Sequence, residues 1–117
     1  MAWLVSDARV LASAELAESR AARRKGLLGR DDVEGAFVIE PCKWIHTIGM
    51  RFPIDVAYLD AEGVVVKTCQ MSRHRLGVPV RHAHFVIEAR AGAFERWGLR
   101  VGDEVEIRCE SPTEQSA

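Results

Sequence analysis

The side chains of this chain that could do chemistry gather between Pro41 and Asp60, where His46, Thr47, Arg51 and Asp55 stand in a largely apolar stretch. Ile54–Leu59 reads as a strand, so Ile54, Val56 and Tyr58 share one face while Asp55, Ala57 and Leu59 share the other. Asp55 is thereby placed among apolar neighbours, directly after Pro53. A carboxylate taken out of water must be paired or hydrogen-bonded, because desolvating it alone is costly. The partners nearest in sequence are His46, Thr47 and Arg51. Two roles follow for Asp55. It caps a turn or braces the loop 44–53, or it holds a histidine or a cation in a site. A histidine with a carboxylate partner is suited to general base work near neutral pH, which makes His46 and Asp55 the catalytic candidates of a metal-independent hydrolase or lyase. A nucleophile is not evident. There is no Gly-x-Ser-x-Gly elbow, and Cys42 precedes His46 too closely for a Cys–His dyad in an extended chain.

Arginines offer a second chemistry. They fall in two groups with other basic residues, Arg20–Arg30 and Arg73–His84, and together these could form a face for a phosphate or a carboxylate. The simpler reading is a solvated basic face balanced by Asp31, Asp32, Glu34 and the acids near the C-terminus. Glu88 is unusual in lying within Phe85-Val86-Ile87-Glu88-Ala89, apolar on both strand faces, and it needs a partner that Arg23 or Arg30 would supply. His82 and His84 would share a face if they lay on a strand, but they sit in a loop-like composition beside Arg81 with no third ligand evident, so no metal and no cofactor are expected. The net charge of −1 and the lack of aromatic residues interleaved with the basic ones argue against nucleic acid.

These residues must be positioned by short elements. Val10–Leu16 alternates as a strand. Ser19 is an N-cap for a helix over Arg20–Leu28, which Gly29 would stop. Ala36–Glu40 is a strand ended by Pro41, and Ile54–Leu59 and Val64–Met71 form a hairpin about Asp60-Ala61-Glu62-Gly63. Ser72–His84 is a loop, Phe85–Ala89 a strand, and Ala93–Trp97 a short helix closed by Gly98. Glu104–Cys109 alternates as a half-buried strand. About six short strands with hairpin signals predict an α+β, mainly β fold: a curled antiparallel sheet or partly closed small β-barrel, with one helix in the N-terminal half and a short second one.

A chain of 117 residues has room for one core, and residues 1–110 read as a single globular domain with a flexible, polar tail over 111–117. Cys42, Cys69 and Cys109 are odd in number, far apart and without a Cys-x-x-Cys pair, which is not the pattern of a secreted disulfide scaffold. The N-terminus reaches a charge at Asp7, too early for an export signal, and no apolar run is long enough for a membrane span. A soluble, cytoplasmic protein that does not associate with membranes is the expectation.

One family matches this arrangement along nearly its whole length. Arg23 is followed by Gly26-Leu27-Leu28-Gly29-Arg30, then Pro41-Cys42, His46-Thr47 and Gly49-Met50-Arg51-Phe52-Pro53-Ile54-Asp55. After these come Leu59-Asp60 with Gly63, Val86-Ile87-Glu88 with Ala91-Gly92, and Gly98-Leu99 with Gly102-Asp103. In order and spacing the chain resembles domain-of-unknown-function family 192. The resemblance implies a compact strand-rich fold with a short helix at the Gly-Leu-Leu segment, and it implies no reaction. Carried over position by position, the family's characteristic polar residues are Arg23, Thr47, Asp55 and Glu88. His46 and Met50 place the chain with the branch that has His-Thr where others have Lys-Asn-Thr.

The favoured function is a binding module for a small anionic ligand or partner through an Arg/His/Asp cleft. Its ligand-binding candidates are Arg23, Arg30, His46, Thr47, Met50, Arg51, Asp55 and Glu88. The hydrolase or lyase built on His46 and Asp55 is the first alternative, and a scaffold without a small-molecule site the second.

Overall fold

The computed structural model describes residues 2–109. Among them seven strands form one sheet in the order β5-β4-β6-β3-β2-β1-β7. The elements in chain order are β1 (Ala2–Ser6), β2 (Arg9–Leu16), α1 (Arg20–Lys25), β3 (Ala36–Ile39), β4 (Ile54–Leu59), β5 (Val65–Met71), β6 (Phe85–Arg90), α2 (Ala93–Trp97) and β7 (Glu106–Cys109). The expected tail over 111–117 lies outside the described residues. No helix among the described residues is long and apolar enough to cross a membrane.

The mainly-β class with two short helices is as expected, and three details differ. The sheet is mixed rather than wholly antiparallel, because β2 and β3 run parallel. Parallel neighbours need a crossover connection, and the segment carrying α1 supplies it. The sheet is also not a closed barrel. Its ends do curl toward one another: Val64 and Glu104 form an isolated bridge, and Val105 N–H donates to Gly63 O at 2.8 Å. Val65 N–H to Asp103 O and Gly102 N–H to Val65 O, both 2.8 Å, extend the contact, but among the described residues it does not become a strand pairing that closes the sheet. Gly63 permits the approach, since a Cβ there would stand 2.4 Å from Val105 O. Finally, β1 was not legible as a strand. Its pairing with β2 slips between Leu4 and Val5, which puts two successive residues inside and breaks the alternation that marks a strand.

The helix α1 stops at Lys25, not at Leu28. Ser19 Oγ accepts from Ala22 N–H at 3.0 Å, the expected N-cap. Gly26 then takes φ +54°, and its N–H closes on Ala22 O at 2.9 Å. With the helix ended, Leu27 turns into the core, where it is 1% exposed.

Strands β4 and β6 are central and buried on both faces. One face carries Ala57, Leu59, Ile87 and Ala89 against Phe94 and Leu99 from α2 and the turn after it. The other carries Ile54, Val56, Tyr58 and Val86 against Leu27, Ile45 and Met50 from the two long connections. Asp55 and Glu88 are both buried in this sheet, on opposite faces.

Candidate functional site

The face covered by the long connections contains a cleft of about 220 Å³. Its walls come from the end of α1 and the turn after it, from Ile39 of β3, from the segment 42–50 and from Glu88 of β6. Each wall has a local cause. Gly26 breaks the helix and lays its backbone over Glu88, so that a Cβ at Gly26 would be 3.7 Å from Glu88 Oε1. The segment 44–48 is held as a ribbon against residues 74–78. His46 bridges Leu76, Gly77 N–H donates to Ile45 O at 3.0 Å, and Trp44 Nε1 donates to Gly77 O at 2.7 Å. Along this ribbon Ile45 and Thr47 are buried while Trp44 and Ile48 stay exposed.

Glu88 is the floor of the cleft. In the sheet it faces Phe37 of β3 and Val56 of β4, so its immediate neighbours supply no polar partner. It is 4% exposed, and its Oε1 is buried with no hydrogen-bond partner among the described residues. Burial pushes its carboxyl up to about 7. Two other acids border it. The Cys42 thiol donates to Trp44 O at 3.2 Å, and it is raised chiefly by burial, with the Glu88 charge adding to this. The Tyr58 hydroxyl is pushed up to about 12 by burial and then by the negative charges of Cys69, Cys42 and Glu88. All three shifts share one leading cause, burial of the acid.

Half-buried Arg23 stands at the cleft with Arg24 and Lys25 next to it, and no carboxylate pairs with Arg23 among the described residues. His46 lines the same cleft beside Trp44, their ring centroids 5.5 Å apart. Its Nδ1 accepts from Ile48 N–H at 3.2 Å, which leaves the neutral ring's proton on Nε2. Met50 is buried in the wall.

Arg23, His46, Met50 and Glu88 are therefore brought together, and the other sequence candidates are not. Asp55 pairs with neither His46, Thr47 nor an arginine. It lies on the opposite face of the sheet, where its Oδ2 accepts from Gly92 N–H at 3.0 Å and Phe94 N–H at 3.1 Å. Its Oδ1 accepts from Gln70 Nε2 at 3.2 Å. Asp55 thus anchors the start of α2. Thr47 staples two loops: its Oγ1 donates to Ser72 O at 2.6 Å and accepts from Arg75 N–H at 2.8 Å. Arg30 does not reach Glu88, because it is held by both oxygens of Glu15, at 2.8 and 2.6 Å, and lies over the Phe37 ring. Arg51 pairs with Asp31 at 3.0 Å on the surface. His84 Nε2 is 3.2 Å from Glu40, and His82 is exposed. The cleft residues that sequence reasoning missed include Gly26, Leu27, Leu28, Ile39, Trp44 and Ile45. A glycine inside an otherwise helical run was the available signal for the first.

The profile of the family DUF192, "Uncharacterized ACR", matches residues 3–107. The chain is 34% identical over 62 residues to a UPF0127 protein of Pyrococcus furiosus and 39% identical over 62 residues to one of Pyrococcus abyssi. Each match covers 53% of this chain, and the chain spans about half the length of these relatives, 53% in each case. Among solved structures, a protein of unknown function from Novosphingobium aromaticivorans superposes with a TM-score of 0.76 at 20% identity, covering 90% of this chain and 82% of that one. A suggested transcription regulator from Sinorhizobium meliloti gives 0.75 at 20% identity, covering 90% of each. At that identity the likeness shows a shared fold.

Proposed function

The chain belongs to the DUF192 family, and from the cleft over Glu88 we propose that it is a binding domain for a small ligand bearing an anionic group. The observation that carries this reading is the carboxylate of Glu88, which lines the floor of the cleft while its buried Oε1 has no partner among the described residues. Buried polar atoms are almost always satisfied, and an exception calls for an explanation. A ligand that completes the hydrogen bonding is one. Arg23 and His46 provide donors at the same cleft for the anionic group, and Leu27, Ile39, Ile45 and Met50 provide apolar walls.

The hydrolase or lyase reading has less support. It needs a carboxylate on His46, and Asp55 spends its acceptors on the other face of the sheet. Cys42, whose pKa is raised by burial, is a poor nucleophile at neutral pH.

The test is a titration of the isotope-labelled protein with acetate, butyrate and inorganic phosphate, followed by amide NMR, beside native mass spectrometry of the freshly purified protein. Shifts should cluster at Gly26, Leu27, His46 and Glu88, and Arg23→Ala should weaken them while Arg30→Ala leaves them intact. Cleft amides that do not move with any of these probes, or an Arg23→Ala protein that titrates like the wild type, would overturn the proposal.

A further inference from the structure

Building on the small-ligand reading, we infer that the inner end of the cleft takes a protonated amine, held by Glu88, so that the ligand is a zwitterion with its ammonium inward and its acid group toward Arg23. The first argument is stoichiometric. An ionised carboxylate only accepts hydrogen bonds, and among the described residues none donates to Glu88 Oε1, although Arg23 and His46 line the same cleft. Cys42 Sγ points to Trp44 O, and Arg30, which would otherwise be a natural partner, is held by Glu15. A ligand ammonium brings both the missing donors and the missing charge.

The second argument is charge balance. The titratable groups around Glu88 are Arg23, Arg24 and Lys25 from α1 and its end, Cys42 and His46 from the segment 42–50, and Tyr58 from β4. A purely anionic ligand would place a second negative charge near Glu88, and would drive Glu88 to bind a proton. A purely cationic ligand would answer Glu88 but leave Arg23 unanswered beside two further positive charges. A zwitterion matches both ends at once. The apolar walls between them suit a short aliphatic spacer, and the volume of about 220 Å³ admits only a small molecule.

The third argument concerns protons. Free Glu88 holds its proton in part near neutral pH, because its pKa lies at about 7. Pairing with an ammonium favours the ionised form. Binding should therefore release a proton to solution, whereas binding of an anion alone should take one up.

The experiment is isothermal calorimetry at pH 6.5 with ω-amino acids from glycine to 6-aminohexanoate, each compared with the carboxylate of the same length lacking the amine. Titrations run in two buffers of different ionisation enthalpy, with cleft amides followed by NMR. At the best length the amino acid should bind about tenfold tighter or more, with net proton release. Glu88→Gln should erase the preference for the amino acid over the plain carboxylate of the same length. The inference fails if the plain carboxylates bind in the cleft as tightly as their amino counterparts, if the preference survives in Glu88→Gln, or if binding takes up protons. If neither series moves the cleft amides, the small-ligand reading fails with it. Glu88→Gln removes a buried charge and so should fold, and the proton release of the wild type provides a second readout that does not depend on the variant.

Discussion

Replacing Glu88 by glutamine should abolish a fall in stability that the wild type shows as pH rises from about 4.5 to about 7. An unfolded glutamate titrates near 4.5, and burial raises the folded value to about 7. Between those limits the folded state binds more protons than the unfolded one, so stability decreases with pH. This contribution favours the fold fully below the unfolded pKa and is gone once pH passes the folded pKa. At about 1.4 kcal/mol per pKa unit, the difference amounts to about 3 kcal/mol. For a domain near this size that is a lowering of Tm by about 10 °C. Two other carboxyls act in the opposite direction at lower pH. The Arg30 hydrogen bonds lower Glu15, and Arg90 followed by the Val33 backbone lowers Asp32. Their stabilisation is lost as pH falls, so the wild-type optimum should lie near pH 5. Urea denaturation at intervals from pH 4 to 8 measures the curve directly. The Glu88→Gln curve should be nearly flat from pH 5 to 8, with the variant the more stable protein at pH 8. A variant that keeps the wild-type slope would show that Glu88 is not the titrating group, and its isolation in the cleft would then lose its meaning.

Other side chains give further expected outcomes. Asp55→Ala should destabilise by about 2–4 kcal/mol, since it strips acceptors from Gly92 N–H and Phe94 N–H inside the protein. Chemical denaturation reads this, and ligand shifts at the cleft should survive at temperatures where the variant is folded. Thr47→Val should cost about 1–2 kcal/mol and speed amide exchange at Arg75, whose N–H now rests on Thr47 Oγ1. Among the thiols, exposed Cys109 should be alkylated by iodoacetamide well before Cys42 and Cys69, both of which burial raises. Peptide mapping after a short exposure at pH 8 gives the order.

Much of the fold was legible because its strands are regular. The limits of β4 and α2 agree with the sequence pattern residue for residue, and the Asp60–Gly63 turn is bonded as its residue types imply, with Asp60 Oδ1 accepting from Glu62 N–H and Val64 N–H. The strand parity of Asp55 was legible too, but its partner was not. Gly92 and Phe94 lie 37 and 39 residues away, while the nearby His46 belongs to a connection packed on the other face. Sequence proximity therefore pointed to the wrong side of the sheet. Glu88 was legible as a charge in need of an answer. That its answer is not Arg30 depends on Glu15 of β2, which holds the Arg30 guanidinium with both oxygens, a pairing no local pattern encodes. The barrel and the missing β1 follow from one cause, the small irregularities at strand ends and bulges that alternation alone does not capture.

The two buried carboxylates of this sheet make the case for function by their contrast. Asp55 and Glu88 are 6% and 4% exposed, in the adjacent strands β4 and β6. On one face the fold surrounds Asp55 with donors from a side chain and two backbone amides. On the other it surrounds Glu88 with Phe37, Val56 and the walls of a cleft, and among the described residues nothing bonds Oε1. The same architecture can therefore satisfy a buried acid when structure is the only demand. An unsatisfied one costs about 3 kcal/mol at neutral pH, a large part of the roughly 5–15 kcal/mol by which a domain is stable. A leucine or methionine at position 88 would avoid that cost and fit its apolar neighbours. A carboxylate stands there instead, beside an open volume and an arginine with no carboxylate partner among the described residues, and that combination has a physical rationale when a molecule from outside the chain completes the pair.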